Sequence, residues 1–133
     1  PYFTYAGDLA VAGTVGPMTT AGTTQSFAWQ LSGVDPLCAS GAGTAGNSCG
    51  IHIHAGSSCV SDASGHFYSG AVTSDPWTAI AYTSDASGAS AGSASVDTGA
   101  LSSSLVGKAR ADADRSRLAP CASSCPLAAL RLS

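Results

Sequence analysis

Large apolar side chains recur at every second position of this chain, in short stretches that end at Gly, Ser, Asp or Pro. That spacing belongs to strands and leaves almost no room for amphipathic helices. From Thr24 to Leu31, the residues Phe27, Trp29 and Leu31 alternate with Ser26, Ala28 and Gln30, so one face of a half-buried strand carries the bulk. Tyr5–Val15 reads as another strand, with Gly7 and Gly13 as bulge or turn points. Thr78, Ile80 and Tyr82 alternate in a third, after the turn-forming Ser74-Asp75-Pro76, and Ser93–Asp97 supplies a fourth. Val106–Ala113 and Leu127–Leu132 are the last strand candidates. Short strands at about ten-residue spacing predict an all-β antiparallel sandwich or barrel. The length of 133 residues suits one core, so residues 1–133 read as a single domain. Gly33–Asn47 and Ser57–Gly65 read as long loops, and cysteines flank both.

Composition narrows the partners. Only 10% of residues are charged, against about 25% in an average soluble protein. The five bases and eight acids give a net charge of −3; every acid is Asp, and no Lys or Arg precedes Lys108. Neutralising phosphates needs a basic patch, so a nucleic-acid partner is excluded. No apolar run approaches the roughly 18 residues of a membrane span. A start at Pro1 rather than Met reads as a processed or excised piece. Five cysteines in a loop-rich chain favour an oxidising compartment, which points to a secreted or cell-surface protein. Dense Ser and Thr would accept O-linked glycans, whereas Asn47-Ser48-Cys49 is only the rare variant of the N-glycosylation signal. Cys38 and Cys49 bracket the Gly/Ala loop, and a bond between them would be worth about 2–3 kcal/mol through loop entropy.

All three histidines lie between positions 52 and 66, two of them in Cys49-Gly50-Ile51-His52-Ile53-His54. Residues two apart on a strand share a face, so Ile51 and Ile53 enter the core while both imidazoles project together on the other side. His66 follows the loop that starts at Cys59, and a cross-link there would return the third imidazole to the pair. Imidazole suits copper, zinc, nickel and iron, and three nitrogens leave an open coordination position. A bare His-x-His is also compatible with a polar, solvent-facing strand side.

The chain resembles the copper/zinc superoxide dismutase family, specifically its copper-only-type repeat modules. The carriers are Gly50-Ile51-His52-Ile53-His54, Cys59, Gly65-His66-Phe67-Tyr68, Val106-Gly107-Lys108-Ala109 and Ser116-Arg117-Leu118-Ala119 with Cys121 behind. Gly33-Val34-Asp35-Pro36 to Cys38, Asn47-Ser48-Cys49-Gly50 and Asp75-Pro76-Trp77 are similar to the same modules, so the likeness spans nearly the whole chain. The resemblance implies a Greek-key β-barrel of about eight strands with the metal outside the wall. It implies copper ligation by His52, His54 and His66, a Cys59–Cys121 disulfide, and Arg117 as the residue that draws superoxide to the copper. Cys125 is then unpaired, although a rival Cys121–Cys125 bond would instead release Cys59.

The chain departs from that pattern in its ligands. Where the family carries a fourth imidazole after its Gly-Lys-Ala motif, this chain has Ala113, and no further histidine exists. The zinc site is absent for the same reason. Pro120 is inserted between Ala119 and Cys121. Copper or no metal at all are the two expectations for the site. The expected function is an extracellular structural or assembly module, a matrix or fibril subunit with impaired catalysis, read as one repeat of a longer or polymeric protein. Self-association or packing against neighbouring repeats would use edges such as Pro1–Tyr5 and Pro126–Leu132. The alternatives are a copper-dependent superoxide dismutase and a metal-binding module without turnover.

Overall fold

The computed structural model of the chain describes residues 9–44, 48–57 and 64–105. These residues form a mostly antiparallel β structure with three short 3₁₀ turns and, among the described residues, no α-helix. The strands are β1 (Ala12–Val15), β2 (Thr19–Ala21), β3 (Thr24–Ser32) and β4 (Ser90–Asp97). β3 is the centre. β4 pairs along nearly its whole length, from Thr24↔Asp97 to Leu31↔Ser90, so β1 and β2 must share the other edge. They do so as one interrupted strand. Between Val15↔Trp29 and Thr19↔Ser26, the residues Gly16, Pro17 and Met18 stand opposite only Phe27 and Ala28, which is a bulge. Pro17 has no amide to donate, and Gly16, at φ 116°, donates to the Ala28 carbonyl at 2.7 Å.

The alternation read from Thr24–Leu31 is what positions the core. Gln25, Phe27, Trp29 and Leu31 are buried, while Ala28 and Gln30 between them are exposed. Residues directly opposite in an antiparallel pair share a face, so Ser90, Gly92, Ala94 and Val96 of β4 also face inward. Gly92 lies under the Trp29 ring, and the Trp29 indole donates to Ser90 Oγ at 3.1 Å. Gln25, fully buried, donates to the Ala100 carbonyl and accepts from the Thr20 hydroxyl. Its polar atoms are satisfied inside the core.

The expected strands are found in altered form. Ser93–Asp97 extends back to Ser90. Tyr5–Val15 is a strand only over Ala12–Val15 among the described residues, and Thr19–Ala21 is an additional strand. The stretch Thr78–Tyr82 is not a strand. Asp75 accepts from the Trp77 amide at 2.9 Å and Pro76 fixes the first φ, so Pro76–Ala79 closes into a 3₁₀ turn. The same Asp-Pro device caps Pro36–Ser40 through Asp35, inside the stretch read as a long loop. Trp77, Tyr82, Val34, Ile51 and Ile53 pack with the inward face of the sheet in one apolar cluster, with Phe27 and Trp77 ring centroids 6.3 Å apart. Val106–Ala113 and Leu127–Leu132 lie outside the described residues.

Candidate metal centre

His52 and His54 sit on an extended segment that packs with the sheet, and His66 on a second stretch paired with it. At its start, the Tyr82 amide donates to the Cys49 carbonyl at 2.8 Å and the Ile51 amide donates to the Ile80 carbonyl at 3.3 Å, around the bridge Gly50↔Ala81. At its end, the Phe67 amide donates to the Ile53 carbonyl at 2.7 Å and the Ala55 amide to the Gly65 carbonyl at 2.9 Å. These two bonds flank His54↔His66, making it the antiparallel pair type whose side chains stand closest. Ile51 and Ile53 enter the core as the alternation requires. His52 and His54, on the opposite side, are also buried, at 2% and 5% exposure. The histidine side of this segment is therefore covered by protein rather than open to solvent.

One ring nitrogen from each of His52, His54 and His66 lies within 4.8 Å of the other two. Metal–imidazole bonds of about 2.0–2.1 Å put donor nitrogens roughly 2.9–4.1 Å apart around one ion, from cis to trans. The set is thus a small side-chain adjustment away from ligation. The rings are already crowded, with centroids 3.9 Å apart for His52 and His66, 4.9 Å for His52 and His54, and 5.5 Å for His54 and His66.

Two of the imidazoles are oriented from behind. His54 Nδ1 is 2.7 Å from the Ser64 carbonyl, which only accepts, so Nδ1 carries the proton. His66 Nδ1 donates to the Asp75 carboxylate at 2.7 Å. A bond of this kind fixes the tautomer and turns Nε2 toward a metal. Asp75 uses its second oxygen on the Trp77 amide, and the Trp77 indole donates to the Phe67 carbonyl at 2.8 Å. The residue that orients His66 is thereby tied to the backbone next to it, at Phe67. Sequence reading assigned Asp75 only a turn. Its place before Pro76 marks the cap, but nothing in its spacing marks the contact with His66. The Ser64 carbonyl is a backbone group with no sequence signal at all.

Cys38 and Cys49 form a disulfide, both buried, with Cα atoms 5.9 Å apart. A disulfide fits an oxidising environment. The expected Cys59–Cys121 bond, Cys125, Arg117 and Ala113 lie outside the described residues. No Lys or Arg occurs among the described residues. No helix among them is long and apolar enough to cross a membrane. Comparison of the chain with protein-family models, with curated proteins and with solved structures finds no match.

Proposed function

We propose that the protein is an extracellular superoxide dismutase-like β-module whose His52, His54 and His66 bind one copper ion. The observation that carries this reading is the cluster of three ring nitrogens, on buried His52 and His54 and half-buried His66, with two of the imidazoles oriented through Nδ1. Three nitrogen donors suit copper or zinc, and divalent copper stands highest in the affinity order for such donors. The Greek-key barrel of about eight strands belongs to the same proposal, as do the Cys59–Cys121 bond and Arg117 beside the metal.

Bound copper would supply a one-electron redox centre. Cu(II) prefers about four donors in a tetragonal set, whereas Cu(I) accepts three. With Ala113 where the resemblance expects an imidazole, the proposal is a module that holds copper with impaired turnover. Its role is structural or in assembly, with self-association or neighbouring repeats as partners. A copper titration with a parallel dismutation assay tests this, on protein sized by light scattering. Stoichiometric copper, lost in His52→Ala, with dismutation no faster than aqueous copper, supports it. Rapid turnover abolished by the same substitution makes the chain a dismutase instead. Absence of copper binding in a protein that forms filaments leaves an assembly module without metal and overturns the copper assignment.

A further inference from the structure

We propose that the outer edge of β4 is an interaction surface whose occupant is β4 of a second copy of this chain, paired antiparallel. The inference rests on the assembly reading above and names the edge at which self-association takes place.

The two edges of the sheet differ. β3 lies at the centre, with β1 and β2 along one side and β4 along the other. The β1/β2 edge is interrupted by the bulge at Gly16–Met18, and Pro17 within it offers no amide. Bulges and prolines are means by which proteins keep an edge from pairing. β4 carries neither. It keeps one register with β3 from Ser90 to Asp97, and no charged side chain stands between Ser90 and Val96.

The backbone directions follow from one bond. In an antiparallel ladder, successive residues turn their amides and carbonyls to opposite edges. The Gly16 amide bonds the Ala28 carbonyl, so Ala28 faces β1 and β2 while Phe27 and Trp29 face β4. Ala94 and Gly92, opposite these two, face back. Ala91, Ser93 and Ser95 therefore turn their backbone groups outward, and all three are exposed. Among the described residues, none of those groups takes a backbone hydrogen bond.

Such a row complements itself. About a two-fold axis at Ser93, Ala91 of one copy opposes Ser95 of the other and Ser93 opposes Ser93, each pair exchanging two bonds. A second copy brings the same small, uncharged side chains from Ser90 to Ser95, so none clashes or repels across the axis. With the β1/β2 edge blunted, this pairing closes at a dimer.

The test is sedimentation equilibrium of the whole chain in excess chelator with free thiols blocked, so that neither metal nor a new disulfide joins copies. Amide hydrogen exchange is followed over the same concentrations. The parent is expected to dimerise, with protection rising with concentration at Ala91, Ser93 and Ser95, whereas the Gly92 and Ala94 amides, bonded to β3, are protected throughout. Ser93→Pro removes an outward amide that β3 does not use and should weaken the dimer about 10-fold or more. Should that variant fail to fold, judged by the near-ultraviolet signal of Trp29, Ser93→Lys is expected to weaken the dimer through like charges at the axis, with recovery at high salt. Ala28→Lys, on the same sheet face but in the central strand, should leave the dimer intact. A dimer unaffected by both Ser93 substitutions overturns the edge assignment while the assembly reading stands. So does a dimer lost equally in Ala28→Lys, which would place the contact on the sheet face. Protection of the three amides in a chain that sediments as a monomer overturns the second copy as occupant, because a segment of the same chain then covers the edge. A parent that stays monomeric with these amides unprotected overturns the assembly reading, and this inference with it.

Discussion

His66 Nδ1 and the Asp75 carboxylate meet at 2.7 Å, and the other Asp75 oxygen holds the Trp77 amide at 2.9 Å. One side chain thus couples a candidate ligand to the turn that delivers Trp77 into the core. The two duties separate in Asp75→Asn. An amide oxygen still caps Trp77, but the charge that steadies the protonated Nδ1 is gone. Metal affinity is expected to fall roughly 10- to 100-fold, with a much smaller change in unfolding free energy. Competition titration with a chromophoric chelator, alongside urea denaturation, measures both.

Removing metal should leave the fold standing. The apolar cluster around Phe27, Trp29, Trp77 and Tyr82 and the Cys38–Cys49 bond do not involve the histidine nitrogens. Thermal unfolding in excess strong chelator is expected to stay cooperative, with a Tm below that of the metal-loaded chain, since a ligand held by the folded state alone stabilises it. Loss of the cooperative transition would show that the chain needs metal to fold.

Gly92 is irreplaceable for a steric reason, since a Cβ there would run into the six-membered part of the Trp29 ring. Gly92→Ala must push that ring off its bond to Ser90 Oγ or move β4. Overpacking of this kind costs about 1–3 kcal/mol. Gly22→Ala is the comparison for glycine's backbone freedom, because no atom stands within 4 Å of a Cβ there although its φ is 60°. Urea denaturation should show Gly92→Ala destabilised without a change in slope, and a Trp29 near-ultraviolet signal altered only in that variant.

The loop before β4 carries a pH signature. The Ser87 hydroxyl, and then the Ala89 and Ser87 amides, hold the Asp85 carboxyl below its ordinary 3.8. A depressed carboxylate contributes its stabilisation above the unfolded value, and loses it as pH falls through the lower folded one. Between neutral pH and about 5, the Ser87 and Ala89 amide shifts should stay constant. They should move only at acid pH, with a midpoint below 3.8 in a carboxyl-detected nuclear magnetic resonance titration. A midpoint at or above that value would mean the turn's hydrogen bonds are not formed in solution.

The strand read over Thr24–Leu31, which the structure ends at Ser32, and the pairing of Cys38 with Cys49 were legible in the sequence because each follows from local order. A period of two puts Phe27, Trp29 and Leu31 on one face whatever they pack against, and two cysteines that bracket one loop need little help to meet. The nearness of His52 and His54 is of the same kind. Other features depended on partners far along the chain. The Thr78–Tyr82 alternation gave way to a 3₁₀ turn once the Asp75 cap and Pro76 fixed its start, and a single extra residue at Gly16–Met18 divided one strand into two. Burial of the histidine side and the service of Asp75 to His66 came only with the tertiary structure, whereas the return of His66 to the pair was already expected from the sequence. Alternation tells which side chains share a face, but the cover over that face, and the group that accepts a ring proton, come from segments whose approach no local pattern encodes.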